Sequence, residues 1–280
     1  MYEAFYGLTR RPFGKSPDPA FLFHSRGHAE ALARLVTAAE DGDLAVLTGE
    51  VGAGKTLLTR ALVDELGESL GDRARVVLIV NPRLTPSELL STLAERLGID
   101  PIPKTKPRLL DALLASLFAI HEAGGTTLLI VDEAHLIPTR AVYEELRLLL
   151  NLTLDDGALL GLLLVGQEEL RARLGKKDLR SFAQRIGAGF HLEPLGSDEV
   201  GDYIAHRLAV AGRAAPLFTP DGVARVAVVS GGVPRRINVI CQAALLVGFG
   251  LEATHIDAAI VDDVWRDLRA HLGAAFDGGA

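Results

Sequence analysis

Apolar and polar positions alternate with two different periods along this chain, and the change comes near Leu195. Up to that residue, short runs rich in leucine and β-branched residues are separated by longer stretches with apolar residues at helical spacing. Such runs are typical of buried parallel strands joined by helices. After Leu195 the spacing is helical throughout. The pattern predicts an α/β fold, in which a doubly wound parallel sheet flanked by helices is followed by a small all-helical lid domain.

The predicted limits are residues 1–194 for the α/β domain, 195–272 for the helical lid domain and 273–280 for a flexible tail. The predicted strands of the first domain cover residues 44–47, 75–80, 126–131, 159–165 and 190–192. Its predicted helices cover residues 27–41, 87–97, 109–122, 139–151 and 167–186, the last with a break at Gly175, and one more helix follows residue 56. In such a sheet, a ligand binds at the carboxyl ends of the strands.

Helix signals divide the lid domain into four helices. Ser197 is predicted to cap a helix that runs to Gly212, Thr219 and Pro220 open a second, and a third starts near Pro234. The spacing of residues 256, 260, 264 and 268 predicts the fourth helix.

The first 23 residues contain too many Pro and Gly residues for a long helix, yet they are strongly aromatic. Phe5, Tyr6, Phe13, Phe21 and Phe23 make this stretch too apolar for a typical disordered segment, which is the alternative. We therefore predict an ordered, packed arm that contributes to base binding or contacts a neighbouring subunit.

Composition narrows the class of protein. With 49% hydrophobic residues, the 280-residue chain can bury a sizeable core. A single cysteine, Cys241, excludes an internal disulfide framework and fits a reducing cytosol, where we expect it to be a buried apolar side chain. The N-terminus lacks the apolar run of a signal peptide, and no run reaches the ~20 residues that span a bilayer, so no direct membrane insertion is expected.

The net charge of −7 is spread over both predicted domains, so neither of them is basic. DNA is therefore a possible partner only through a local patch, and the overall charge does not support it.

The chemistry of the chain centres on the sequence GEVGAGKT, Gly49–Thr56, which lies between a predicted strand and a predicted helix. Glycines at this spacing permit a tight turn whose N–H groups point at phosphates, and the helix adds its positive N-terminal end. Lys55 is expected to reach the β- and γ-phosphates, and Thr56 to supply a hydroxyl ligand to Mg²⁺. The alternative is a flexible glycine loop. The predicted nucleotide-binding residues are Gly49, Glu50, Val51, Gly52, Ala53, Gly54, Lys55, Thr56, Leu57 and Asp132.

A second motif, LLIVDEAH, places two carboxylates directly after a buried strand. Asp132 is expected to hold Mg²⁺ with Thr56, and Glu133 to polarise the attacking water in phosphoryl transfer. The alternative is a solvated Asp-Glu turn. The letters DEAH do not indicate a helicase, because nothing else in the chain supplies two tandem motor domains. His135 is either a partner of Glu133 or an exposed loop residue.

Gln167 follows the next predicted strand and could contact the γ-phosphate or the attacking water, or simply start a helix. Phosphoryl transfer commonly uses an arginine to counter transition-state charge. The candidates are Arg180 and Arg185 before the last strand, and Arg235 and Arg236 at a helix start in the lid; each could instead be a solvated charge.

These motifs together resemble the AAA+ P-loop ATPases, and more narrowly the ExeA-like family, also called general secretion pathway protein A. The resemblance covers nearly all of residues 2–270. It rests on the stretches FYGLTRRPF, HAEAL, LTGEVGAGKT, LLIVDEAH, LLLVGQEEL, QRIGAGFHLEPL and GGVPRRINVICQAAL.

The resemblance implies an enzyme that hydrolyses ATP with Mg²⁺ and forms a homo-oligomer that ATP forms or stabilises. By the family pattern Lys55 and Glu133 are catalytic, Gln167 takes the sensor-1 position, Arg185 is the arginine finger and Arg235 takes the sensor-2 position, with Arg180 a rival finger. The implied role is an assembly motor or switch with a protein partner in secretion-complex or pilus assembly at the cell envelope.

Members of the ExeA-like family join such an ATPase to a membrane helix and a peptidoglycan-binding module. We therefore expect a cytoplasmic location, either as a soluble member or as the cytoplasmic part of a membrane-associated system. The alternative function is an ATP-dependent regulator that acts on DNA, of transposition or replication type.

Overall fold

The structure is a computed structural model that describes residues 1–14, 18–154 and 157–273. Apart from Gly273, the predicted flexible tail lies outside these residues. The chain forms two compact units. The helical unit comprises Met1–Ala29, Glu50–Leu57 and Glu193–Ala280, and the sheet unit comprises Glu30–Gly49 and Leu58–Leu192.

Strands and helices are numbered here in chain order. The strands are β1 (Leu44–Gly49), β2 (Ala74–Ile79), β3 (Thr126–Val131), β4 (Thr153–Leu154), β5 (Gly157–Ala158), β6 (Gly161–Gly166) and β7 (Ile186–Leu192). The helices are α1 (Tyr2–Phe5), α2 (Arg26–Glu40), α3 (Lys55–Leu70), α4 (Pro86–Arg96), α5 (Lys106–Glu122), α6 (Arg140–Leu149), α7 (Glu168–Leu174), α8 (Arg180–Ala183), α9 (Ser197–Val210), α10 (Pro220–Ser230), α11 (Pro234–Gly250) and α12 (Ala258–Leu272). Single 3₁₀ turns occupy Pro19–Phe21, Gly71–Arg73, Ala134–Leu136 and Lys177–Leu179.

Five strands of the sheet unit form one parallel sheet in the order β2-β3-β6-β1-β7. This topology and the flanking helices confirm the predicted α/β fold. Val131 of β3 pairs with Leu164 of β6, and Thr48 of β1 pairs with Gly166. Because the paired strands are parallel, the carboxyl ends of β1, β3 and β6 all lie at the same end of the sheet.

The sheet is buried on both faces at its centre. Leu44, Leu129 and Leu162 belong to a large apolar cluster with α4, α5 and α6. The alternate positions in the same strands, such as Leu47 and Leu163, are also at most 1% exposed. This double burial explains why the central strands read as uninterrupted apolar runs.

Strand β2 lies at one edge of the sheet, and its two faces differ. Val77 and Ile79 are buried in the apolar cluster of the sheet unit. The side chains of Leu78 and Val80 lie on the opposite face and remain 45% and 62% exposed.

In the helical unit, α9–α12 enclose a separate apolar core, to which the N-terminal arm contributes Tyr2, Tyr6, Leu8 and Phe13. Tyr6 is 1% exposed, and its hydroxyl donates a hydrogen bond to the Ala253 carbonyl at 3.1 Å. The described part of the arm, residues 1–14 and 18–23, is therefore packed, as its aromatic content predicts, although Phe5 stays 41% exposed.

The packing of the arm bears on the predicted domain limits. By its contacts the arm belongs with the helical residues after Glu193, together with the segment Glu50–Leu57. Such units describe how the chain packs and not which part folds alone. The limits 1–194, 195–272 and 273–280 therefore stay a prediction.

Several elements differ in detail from their predictions. The single helix expected over residues 167–186 is divided into α7, a 3₁₀ turn and α8. Strand β7 begins at Ile186, four residues earlier than predicted, because pairing with β1 extends a Gly/Ala-rich sequence that has little strand propensity. The short antiparallel pair β4-β5 was not predicted.

The prediction for the start of α9 is also corrected. Gly196, and not Ser197, is the N-cap residue, because the Glu199 carboxylate accepts a hydrogen bond from the Gly196 N–H at 3.1 Å. At α12, Ile256 precedes the helix and forms an isolated bridge with Phe218 instead.

Two adjacent leucines of α5 offer a matched test of the sheet-unit core. Leu113 is fully buried, and Leu114 is 41% exposed. We expect Leu113→Ala to lower the free energy of unfolding by about 2–5 kcal/mol, since it leaves a cavity, and Leu114→Ala by less than about 1 kcal/mol. Urea unfolding followed by circular dichroism measures both. Equal losses would contradict the burial of α5 described here.

Candidate nucleotide-binding site

The segment Glu50–Leu57 follows β1 directly and ends in the first turn of α3. Its backbone turns sharply, because Gly52 and Gly54 have φ values of +89° and +109°. Residues with side chains rarely adopt this region, so the two glycines have a conformational reason to be there. The Ala53 N–H donates to the Glu50 carbonyl at 3.2 Å and closes the turn.

The same two glycines also lack space for a side chain. A Cβ on Gly52 would lie 2.5 Å from the Arg235 Cβ, and a Cβ on Gly54 would lie 2.7 Å from His28 Nε2. Both distances are well below van der Waals contact. The outer side of the loop is thus closed by Arg235 and His28.

Lys55 is the first residue of α3, a helix of 16 residues. Its Nζ donates a hydrogen bond to the Glu50 carbonyl at 2.9 Å and its side chain is half-buried. A cradle of backbone amides, a lysine and a helix N-terminus has the chemistry that binds phosphate groups. The residues present therefore fit the phosphate chain of a nucleotide, as the sequence predicts.

Two arginines at the start of α11 contact the loop within the helical unit. The Arg235 N–H donates to the Gly52 carbonyl at 3.2 Å. The Arg236 guanidinium pairs with the Glu50 carboxylate at 2.6 Å. The predicted sensor-2 residue, Arg235, thus lies against the loop, and its neighbour Arg236 anchors the loop's first residue. The sequence offered both arginines as candidates but not the pair with Glu50.

His28, in the first turn of α2, is a loop contact that the sequence did not reveal. It is 5% exposed; its Nδ1 lies 2.7 Å from Ser25 Oγ, and its Nε2 lies 3.2 Å from the Ala53 carbonyl. Burial lowers the pKa of His28 below its usual value. No spacing rule connects position 28 with position 53. The histidine is part of the HAEAL stretch, but that stretch alone gives no role.

The predicted carboxylates lie in the sheet unit, directly after β3. Glu133 has a φ of +51°, a left-handed conformation that is unusual for a residue other than glycine. Its N–H donates to Asp132 Oδ1 at 2.8 Å, which supports this turn. Unusual backbone of this kind concentrates at functional sites.

Gln167 and His135 both reach the Glu133 carboxylate. The Gln167 amide donates to Glu133 Oε2 at 3.3 Å, and His135 Nδ1 lies 3.4 Å from the same oxygen. The strand order explains the first contact, because β3 and β6 are neighbours, as the hypothesis for Gln167 required. The sheet unit therefore brings Glu133, Gln167 and His135 together.

The candidate arginine fingers lie elsewhere in the sheet unit. The Arg185 guanidinium donates to the Leu150 carbonyl at 3.2 Å and to the Asn151 side chain, both at the end of α6. Arg180 is exposed at the start of α8. Both residues are exposed at the surface.

Mg²⁺ ligation by Thr56 and Asp132 stays a prediction. Thr56 is exposed in the first turn of α3 and belongs to the helical unit, whereas Asp132 belongs to the sheet unit. Among the described residues, no group of three His, Cys, Asp or Glu side chains forms a metal cluster.

One further sequence expectation is met. Cys241 is fully buried, and burial raises the pKa of its thiol, which makes it unreactive. Within residues 1–14, 18–154 and 157–273, no helix is both long enough and apolar enough to cross a bilayer.

Comparison with known proteins gives this geometry a family context. A family profile described as "AAA domain" matches residues 38–174. General secretion pathway protein A of Aeromonas hydrophila is 41% identical over 252 residues, which are 89% of this chain and 45% of that protein. The chain thus spans less than half the length of this curated relative.

Solved structures agree on the fold. The Aeropyrum pernix ORC2 protein in its ADPNP–ADP complexes has a TM-score of 0.68 at 23% identity, covering 92% of this chain and 71% of that one. Drosophila ORC bound to DNA has a TM-score of 0.67 at 18% identity, with coverages of 98% and 66%. The Thermotoga maritima RuvB Holliday junction branch migration motor has a TM-score of 0.55 at 20% identity, with coverages of 88% and 70%.

At these identities, the solved structures establish the fold alone. The AAA domain profile and the 41% identity over most of the chain support an ExeA-like AAA+ ATPase.

Proposed function

We propose that this protein binds and hydrolyses ATP and uses the nucleotide cycle as an assembly motor or switch. The observation that carries the proposal is the loop Glu50–Leu57, whose glycines have no room for side chains and whose lysine starts a long helix. Such a loop holds phosphates through backbone amides and one fixed positive charge. ATP is then the substrate, and ADP and phosphate are the products.

The carboxylate group in the sheet unit supplies the chemistry of hydrolysis. Glu133 takes a proton from a water molecule whose oxygen attacks the γ-phosphorus, while the bond to the β–γ bridging oxygen breaks. Gln167, hydrogen-bonded to Glu133, orients this carboxylate or the water. Thr56 and Asp132 are the residues that would hold Mg²⁺, which would supply positive charge to balance that of the phosphates.

Lys55 and Arg235 are proposed to act on the phosphates from the helical unit. Lys55 Nζ donates a hydrogen bond to the Glu50 carbonyl in this structure, and it moves to the phosphate oxygens when ATP binds. Arg235 packs on the loop at Gly52 and is placed to sense the nucleotide state through the lid helices. This role matches the sensor-2 position that the family resemblance assigns.

Arg185 is proposed to complete the site of a neighbouring subunit. Its contacts with Leu150 and Asn151 hold the guanidinium at the surface. A positive charge that arrives only from a neighbour makes hydrolysis depend on assembly, which suits a homo-oligomeric switch. Arg180 is the alternative finger.

The biological setting is proposed from the relative. General secretion pathway protein A shares 41% identity with most of this chain, so we place the protein at a secretion or pilus assembly complex of the cell envelope, acting from the cytoplasm on a protein partner. The match covers 45% of that protein, and the partner is therefore part of the proposal.

Lys55→Ala and Glu133→Gln separate binding from chemistry. We expect Lys55→Ala to weaken ATP binding by about 10- to 100-fold or more, because it removes a charged phosphate contact. Glu133→Gln should keep ATP affinity and lower turnover by roughly 10²- to 10⁴-fold. Equilibrium binding and phosphate release measure the two effects. The exposed residues Lys177 and Glu169 provide matched controls, Lys177→Ala and Glu169→Gln. Normal turnover in Glu133→Gln would refute its catalytic assignment.

A mixing experiment tests the shared site. We expect Arg185→Ala to lower turnover by roughly 10³-fold with ATP affinity intact. If Arg185 serves a neighbour, mixing this variant with Glu133→Gln will restore activity, because an intact Glu133 then meets an intact Arg185. The absence of recovery would place Arg185 in its own subunit's site or outside any site. The same mixture with Arg180→Ala decides between the two arginines.

The alternative, an ATP-dependent regulator on DNA, draws on the solved structure of an origin recognition complex bound to DNA with the same fold. At 18% identity the likeness extends to fold only, and the net charge of −7 opposes it. We expect no ATP-dependent shift of duplex DNA even at low salt. Binding that appears with ATP and weakens steeply with salt would favour the alternative.

A further inference from the structure

The backbone of the phosphate loop is held by a hydrogen bond that none of the family motifs explains. His28 lies behind the loop in the helical unit, with one ring nitrogen on Ser25 and the other on Ala53. We infer that His28 is a positioning residue, whose Nε2–H fixes the Ala53–Gly54 peptide so that the Gly54 N–H faces the phosphates. The inference rests on the proposed binding of ATP.

The protonation state of the ring follows from its partners. The Ala53 carbonyl can only accept, so the nitrogen 3.2 Å away, Nε2, must carry the hydrogen. In a neutral imidazole Nδ1 then accepts, and the Ser25 hydroxyl donates to it at 2.7 Å. The Ser25 oxygen in turn accepts the His28 N–H at 3.2 Å. The two ring contacts together assign the neutral tautomer with the hydrogen on Nε2.

Peptide geometry turns this contact into a statement about the loop. In a trans peptide, the C=O and the N–H of the next residue point in opposite directions. A hydrogen bond that draws the Ala53 carbonyl toward His28 therefore aims the Gly54 N–H away from His28, into the concave side of the loop. Backbone N–H groups on that side are the ones that bind phosphate.

The position of His28 is itself secured. The preceding Arg26 N–H donates to Glu199 Oε1 at 3.0 Å, at the start of α9. The Arg26 guanidinium also pairs with Asp198, but both side chains are more than two-thirds exposed, so this ion pair contributes little. The hydrogen bond to the 17% exposed Glu199 is the stronger anchor. α9 thus anchors the start of α2, two residues before His28, and Ser25 holds the imidazole ring.

A buried, satisfied histidine could also be simple packing, and the two roles predict different behaviour. Packing depends on volume and burial. Positioning depends on a donor at the place of Nε2. Glutamine and asparagine discriminate between the two, because the amide nitrogen of glutamine can reach the place of Nε2, whereas that of asparagine reaches only the place of Nδ1.

The experiment compares His28→Gln with His28→Asn in the full chain, using a fluorescent ATP analogue for binding and urea unfolding for stability. We expect His28→Gln to bind within about threefold of wild type. His28→Asn should bind about tenfold more weakly, the fold-change that corresponds to one net hydrogen bond of about 1.4 kcal/mol. ADP affinity should fall in parallel, because both nucleotides use the loop. Ser25→Ala, which removes the group that orients the ring, should lose about threefold.

Each other outcome is decisive. Equal affinities of His28→Gln and His28→Asn, with both variants folded, would reduce His28 to packing. If both variants fail to fold, Ser25→Ala carries the test, and its unchanged affinity would overturn the inference. If wild type itself binds no ATP analogue, the proposed function fails instead, and the failure is recognisable because the wild-type arm alone reveals it.

Discussion

The site depends on one steric constraint: the backbone of the loop Glu50–Leu57 is packed on its outer side without space for a Cβ. Arg235 lies 2.5 Å from where a Cβ of Gly52 would be, and His28 lies 2.7 Å from that of Gly54. Arg235 belongs to α11 and His28 to α2, so both contacts come from residues outside the loop itself. The loop is therefore shaped by its surroundings as well as by its own glycines, and its inner face is left to the phosphates.

The sequence predicts the fold, and part of the candidate site, for a physical reason. Buried parallel strands must be apolar throughout, so β1, β3 and β6 are visible as runs, and the residues after them follow from where the runs end. Asp132, Glu133 and Gln167 were found this way. The sequence does not reveal the contacts of His28 with Ala53 and of Arg236 with Glu50. The partners are 25 and 186 positions apart, and neither His28 nor Arg236 stands out by itself from other polar residues. Strand β7 was predicted too short, because only its pairing with β1 makes a strand of a Gly/Ala sequence.

The backbone at Glu133 sets a second constraint. A left-handed conformation at a residue with a side chain costs of order 1 kcal/mol or more, and it persists only where the surroundings impose it. The Asp132 carboxylate accepts the Glu133 N–H, and Gln167 and His135 contact the side chain. Of these contacts, the Gln167 hydrogen bond is the one that orients the carboxylate. A general base has to be positioned within hydrogen-bond reach of its water, so this local cost has a chemical purpose under the proposed function.

Strand β2 has a consequence for how the protein behaves in concentrated solution. It ends the sheet with Leu78 and Val80 exposed, and an apolar edge strand is a template on which further strands can pair. Two features oppose such growth: the exposed Arg75 on the strand, and Pro82, the third residue after its end, which cannot donate to a ladder. A charged side chain and a proline thus protect an edge strand whose exposed apolar residues would otherwise favour self-association.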